Sequence, residues 1–65
     1  MNQESTFGQE IKSARQVIGL TQAELARRVG CATITIRKIE YDSMRPSVQI
    51  LERLAMALDL SLIHI

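Results

Sequence analysis

Apolar residues recur along the chain at spacings of three and four, which is typical of helices that bury one face. The first helix is predicted from about Phe7 to Ile18, with a stop at Gly19. Thr6 and Gln9 offer a capping box at its start. Ser5 is an alternative cap, and the sequence does not decide between Thr6 and Ser5. The apolar stripe of this helix consists of Phe7, Ile11, Ala14 and Ile18.

The stretch from Thr21 to Glu40 predicts two short helices joined at Gly30. Thr21 and Glu24 form a capping box at the start of the first. Gly30 suits a helix stop because glycine takes a positive φ without steric cost. The inward positions are Leu25, Ala26, Val29, Ile36 and Ile39, with Leu20 and Cys31 as apolar residues beside the turns. Two short helices joined by a turn that contains glycine form the helix-turn-helix pattern.

A further helix is predicted after a loop from Tyr41 to Ser47, in which Ser47 caps the helix and Pro46 favours extended backbone before it. Ile50 lies off the apolar stripe, so it is either partly exposed or available to a partner. Asp59 ends the pattern. The predicted inward face consists of Val48, Leu51, Leu54, Ala55 and Leu58. The expected fold class is all-α, with four helices and a possible fifth element.

The two ends of the chain depart from this periodic pattern. Residues 1–6 are polar and are predicted to form a flexible arm. The segment Leu60–Ile65 is unusually apolar, which is consistent with a short fifth helix, a strand that packs back on the core or an exposed interface. A truncated chain or a foreign apolar tail at 62–65 is another interpretation.

Composition restricts the protein to a small class. A chain of 65 residues and 7.3 kDa is one domain, close to the lower limit for a self-sustaining core. Hydrophobic residues make up 46% and aromatic residues only 3%, so the core must be aliphatic. One cysteine excludes an internal disulfide and favours a reducing compartment. The sequence shows neither a signal peptide nor an apolar run of about 20 residues, which predicts a soluble cytoplasmic protein.

Several residues of the central stretch occur in the register of a known family. The chain resembles the phage-repressor (Cro/CI, XRE-type) helix-turn-helix family over residues 7–61. The resemblance implies a compact lambda-repressor-like DNA-binding domain, with the motif at about 22–41. It also implies sequence-specific binding of double-stranded DNA for transcriptional regulation, by a complete regulator or by the N-terminal module of a larger one. The matching residues are Gln22, Glu24-Leu25-Ala26, Gly30, Ile36, Ile39-Glu40 and Pro46-Ser47.

The resemblance implies that the helix at about Ala32–Tyr41 lies in the major groove. Thr33 is suited to hydrogen-bond a base, and Ala32 and Ile34 are suited to pack on thymine methyl groups. Arg37 or Lys38 is suited to donate to guanine O6 and N7, and the alternative is that both are simply part of a solvated face. The predicted base-contacting set is Ala32, Thr33, Ile34, Arg37 and Lys38.

Charge adds a second part to the predicted interface. The net charge is only +1, but the stretch from Arg27 to Arg45 contains five basic residues and only two acidic ones. This modest basic patch is expected to face phosphate groups. Gln22 stands at a helix start, where backbone N–H groups favour anions, and the family resemblance gives it a phosphate contact. The predicted phosphate-contacting set is Gln22, Arg27, Arg28 and Arg45.

The resemblance also pairs Arg15 with Glu40 in a partly buried ion pair that fixes the first helix against the base-contacting helix. Two separate surface charges are the alternative. The sequence departs from the family pattern at two positions. Ala32 stands where serine often caps the helix, so either Thr33 caps one residue later or the helix start frays. Asp42 stands where glycine is common, which predicts a strained left-handed residue or a reshaped loop.

No pattern in the sequence suggests catalysis. Cys31 has no acid or base partner at motif spacing, His64 is alone in the tail, and paired carboxylates and glycine-rich phosphate loops are absent. We therefore expect no enzyme, no cofactor and no metal site. The expected partner is a palindromic operator, bound by a homodimer or by a chain with a further C-terminal domain. The alternatives are an antitoxin-like or adaptor protein that docks through its apolar tail, and a purely structural helical module.

Overall fold

The computed structural model describes residues 6–59, which form four α-helices and contain no strand. These helices are α1 (Phe7–Val17), α2 (Gln22–Val29), α3 (Thr33–Glu40) and α4 (Val48–Leu58). The predicted all-α class is confirmed. The predictions for residues 1–5 and for the apolar segment Leu60–Ile65 lie outside the described residues. No helix in residues 6–59 is both long enough and apolar enough to cross a membrane.

Side-chain caps fix the starts of three helices. Thr21 and Ser47 cap α2 and α4 as predicted, and of the two alternatives for α1 it is Thr6 that caps the helix. Thr6 Oγ1 accepts from Gln9 N at 3.1 Å, and Gln9 Oε1 accepts from Thr6 N at 3.4 Å. The corresponding distances between Thr21 and Glu24 are 3.0 Å and 2.8 Å. The backbone hydrogen bond from Thr21 is the main cause that lowers the pKa of the Glu24 carboxyl. Ser47 Oγ accepts from a backbone N–H in the first turn of α4 at 3.2 Å.

The turn between α2 and α3 runs through a left-handed Gly30, with φ of 86°. Its N–H and that of Cys31 both donate to the carbonyl of Ala26, at 2.8 and 3.0 Å. Ala32 is the N-cap of α3 and has extended backbone, without a side-chain cap. Thr33 is therefore the first helical residue, and of the two alternatives for this helix start, the one in which Thr33 is the cap is wrong. Cys31 is only partly buried, and this burial raises the pKa of its thiol.

The core is aliphatic and lies where the four helices meet. In it, α3 packs against α1 and α2, and α4 packs against α2 and α1. The inward positions predicted for α2 and α3 are confirmed. The buried apolar residues are Ile11, Ala14, Leu25, Ala26, Val29, Ile36, Ile39, Leu54 and Leu58. Leu20, Cys31, Ile50 and Ala57 are partly buried and pack against them.

Two predicted apolar stripes need correction. Phe7, the first residue of α1, and Ile18, its C-cap, are both exposed, so the buried stripe of this helix is reduced to Ile11 and Ala14. In α4, Val48 and Leu51 face solvent, whereas Ile50 packs against the core. Helical spacing fits both faces of α4, since Leu54 and Leu58 belong to either one. Docking against α2 decides which of the two is buried.

Gly8 and Asp42 form a close junction between the start of α1 and the end of α3. A Cβ on Gly8 would lie 2.5 Å from the carbonyl oxygens of both Ile39 and Glu40, so this contact requires glycine. Asp42 has a left-handed φ of 60°, and its Oδ1 accepts from Gly8 N at 2.9 Å. The aspartate at this position thus satisfies one of the free N–H groups in the first turn of α1.

Candidate nucleic-acid interface

One face of α3 is left uncovered by the other described helices. Ile34, Arg37, Lys38 and Tyr41 occupy positions separated by three, four and seven residues, and all four are exposed. Thr33 lies at the margin of this face and is half-buried, and Ala32 is exposed just before the helix. The five predicted base-contacting residues thus come together at the outer side of α3. Tyr41 lies on the same face by its helical spacing, although the predicted set did not include it.

The exposed face of α3 carries positive charge without a compensating acid of its own. The charged residues of α3 are Arg37, Lys38 and Glu40, and Glu40 is buried. Asp42, just beyond the helix, directs its Oδ1 to Gly8. Two cations therefore stand on this face while the carboxylate of the same helix is turned inward, an arrangement that attracts phosphate.

Glu40 is paired with Arg15 inside the fold. Arg15 Nε donates to Glu40 Oε2 at 2.6 Å, and Nη2 donates to Oε1 at 3.0 Å. The guanidinium also donates from Nη1 to the carbonyl of Leu20 at 2.9 Å. Arg15 is 8% exposed and Glu40 is 4% exposed. The two side chains therefore form a buried bidentate ion pair, which is the geometry in which such pairs are strongest, rather than two surface charges.

Gln22 is joined to this ion pair, a contact that the sequence did not predict. Its Nε2 donates to Glu40 Oε1 at 3.0 Å, and Arg15 Nη2 donates to the same oxygen. Gln22 is half-buried and is the first residue of α2. The first N–H groups of a helix have no partner within it, so the start of α2 offers donors beside this amide.

The three predicted phosphate-contacting arginines occupy different surroundings. Arg27 and Arg28 are exposed on α2, and Arg45 is exposed in the loop that follows α3. Arg28 borders a cleft of about 210 Å³ on the α4 side of α2. Arg53 Nη1 donates across this region to the carbonyl of Val29 at 3.3 Å. The other residues that line the cleft are Arg53, Met56 and Ala57.

In residues 6–59, no three His, Cys, Asp or Glu side chains are grouped so as to hold a metal ion. The features that this surface offers are instead hydrogen-bond donors, positive charge and exposed apolar side chains. These suit contact with an anionic, grooved partner.

Comparison with known proteins decides the family. A family model described as helix-turn-helix matches residues 11–65. The chain belongs to this helix-turn-helix family. The short helices α2 and α3 follow one another and are joined by Gly30–Ala32, an order that fits such a motif. The motif range of about 22–41 stays a prediction.

A solved structure with a similar fold is the crystal structure of the P22 c2 repressor protein in complex with synthetic operator 9T in the presence of Tl+. The TM-score is 0.84 and the sequence identity is 27%, over 86% of this chain and 85% of that chain. The resemblance to phage repressors is confirmed by this match. No curated protein matches the chain.

Proposed function

We propose that this helix-turn-helix protein is a transcription regulator that binds double-stranded DNA in a sequence-specific manner. The observation that carries the proposal is the exposed face of α3, where Ile34, Arg37 and Lys38 stand together while Glu40 is turned into the core. The similarity to a repressor described in complex with a synthetic operator supports it.

In the proposed complex α3 lies in the major groove. An α-helix with its side chains is about 10–12 Å in diameter, which matches a major groove about 12 Å wide. Arg37 and Lys38 reach guanine O6 and N7, and Thr33 hydrogen-bonds a base. Ala32 and Ile34 pack on thymine methyl groups, since neither side chain has a polar atom to offer.

Phosphate contacts would set affinity and register. We assign them to Gln22 at the start of α2 and to the arginines Arg27, Arg28 and Arg45. For each arginine that neutralises a phosphate, replacement by alanine should make the slope of log K against log salt less negative by about 0.9. Arg28 borders α4, so it stands at the edge of the proposed interface. The salt dependence of the Arg28→Ala variant, compared with those of Arg27→Ala and Arg45→Ala, tells whether the interface extends to Arg28.

A single module of this kind buries roughly 600–1,000 Å² of its own surface. Useful specificity therefore needs a second set of contacts. We propose that the chain acts as a homodimer or together with a further domain, on a palindromic operator in the cytoplasm. The half-sites would be about one helical turn apart.

Selection from a library of random duplexes tests this function. We expect the unmodified protein to enrich a palindromic motif, and the Arg37→Ala and Lys38→Ala variants to change it at the positions that they contact. Lys12→Ala removes the same charge from an exposed position on α1 and should leave the motif unchanged. A folded protein that enriches no motif would contradict the proposal, and would favour the alternative of a protein partner.

A further inference from the structure

The ion pair between Arg15 and Glu40 also contacts the proposed DNA surface. We propose that Glu40 is a positioning residue for DNA binding, because its carboxylate orients the Gln22 amide so that an N–H group of Gln22 is directed to a DNA phosphate. The inference rests on the proposed function and adds to it a link between the core and the phosphate contact.

The contact with Glu40 orients the side-chain amide of Gln22. Glu40 Oε1 lies 3.0 Å from Gln22 Nε2. An ionised carboxylate only accepts hydrogen bonds, so it selects the amide nitrogen of Gln22 over the amide oxygen. Both carboxylate oxygens are already held by Arg15, at 2.6 and 3.0 Å, so the acceptor is fixed in place.

This orientation leaves one amide hydrogen of Gln22 free. The amide nitrogen carries two hydrogens, and Glu40 takes one of them. Gln22 is only half-buried and is the first residue of α2, where backbone N–H groups also lack helical partners. A phosphate likewise only accepts, so the second amide hydrogen is the part of the side chain that it can bind. A flipped amide would present its oxygen to the phosphate and would repel it.

Arg15 holds both the Glu40 carboxylate and the turn that precedes Gln22. Arg15 Nη1 donates to the carbonyl of Leu20, two residues before Gln22. The guanidinium therefore fixes the turn that leads into α2 as well as the carboxylate at the end of α3. Ordering a side chain before it binds reduces the entropy lost on association. The buried pair would thus favour DNA binding through Gln22, in addition to joining α1 to α3.

The test is a comparison of two backgrounds, one unmodified and one with the ion pair replaced by apolar residues, Arg15→Met/Glu40→Leu. The probe is the duplex selected above or, if none is selected, a short duplex of random sequence at low salt. We expect Gln22→Ala to weaken binding about tenfold in the unmodified background, equivalent to about 1.4 kcal/mol, and less than about twofold in the apolar one. Arg37→Ala is the control and should cost the same in both.

An equal loss from Gln22→Ala in both backgrounds would overturn the inference, as would no loss in the unmodified protein. A protein that folds but binds neither duplex would instead refute the proposed function, so the two failures are distinguishable.

A second measurement needs no change to the ion pair. In protein labelled with ¹⁵N, the two Nε2 protons of Gln22 are identified by their loss in Gln22→Ala. We expect one to be shifted in the free protein by Glu40 and the other to shift when duplex is added. If neither side-chain proton moved while the backbone amides of α3 shifted, the amide would not contact DNA and the inference would be wrong.

Discussion

Gly8 and Asp42 explain each other at the scale of single residues. Glycine weakens a helix because it has more conformational freedom to lose, and a left-handed aspartate is strained. The two unfavourable residues meet at one junction, where the backbone of α1 lies against the carbonyls of Ile39 and Glu40. There the Asp42 carboxylate accepts a hydrogen bond from Gly8 N at 2.9 Å. The end of α3, including Glu40, is held against α1 by this contact.

We expect Gly8→Ala to destabilise the protein by about 1–3 kcal/mol, because the added methyl group would overlap two backbone carbonyl oxygens. The same kind of change at an open helical position would be stabilising by up to about 1 kcal/mol. Urea unfolding measures the difference, with Ser13→Ala, at an exposed position of α1, as the control. A Gly8→Ala protein at least as stable as the original would contradict the junction.

The Arg15–Glu40 pair makes a second prediction at this scale. Arg15→Met or Glu40→Leu alone leaves a buried charge without its partner, which costs about 3–5 kcal/mol. The double variant leaves neither charge, so it should lose far less than the sum of the two single losses. Urea unfolding of the four proteins gives the coupling, and additive losses would show that the two side chains do not interact.

At the scale of elements, local chemistry is what the sequence predicts best. The capping boxes at Thr6 and Thr21 span four residues each, so they can be identified without knowledge of the fold. The inward face of α4 cannot be identified in this way, because Leu54 belongs both to a face with Leu51 and to a face with Ile50. Packing against α2 selects the face that contains Ile50.

The same limit applies to the candidate interface. The exposed residues of α3 follow from the burial of Ile36 and Ile39, which the spacing predicts. The Gln22–Glu40 contact joins residues 18 apart, and the Gly8–Asp42 contact joins residues 34 apart. Such contacts depend on how the helices approach one another, and no local pattern encodes them.

The start of α3 makes a prediction at this scale. Ala32 is its N-cap and provides no side-chain oxygen, so the first N–H groups of the helix lack a side-chain acceptor. Ala32→Ser should stabilise the protein by about 1 kcal/mol in urea unfolding. Ala23→Ser, the same change at an exposed position within α2, should be neutral or slightly destabilising. Equal effects at both positions would argue against a missing cap.

At the scale of the whole molecule, a small aliphatic core and the buried Arg15–Glu40 pair hold α3 so that its outer face stays free. The carboxylate of α3 is used inside the fold, and the cations of α3 remain outside. The chain therefore presents a positive helix with an exposed isoleucine, Ile34, on a frame shared with a phage repressor. We propose that DNA binds to this face.

The most direct test joins one side chain of α3 to one base. In the selected duplex, each thymine is replaced in turn by deoxyuridine, which removes only the methyl group, and binding is measured for the unmodified protein and for Ile34→Ala. We expect at least one thymine in each half-site whose methyl group contributes about fourfold to affinity for the unmodified protein and nothing for Ile34→Ala. Equal losses for both proteins at every thymine would contradict base contact by Ile34.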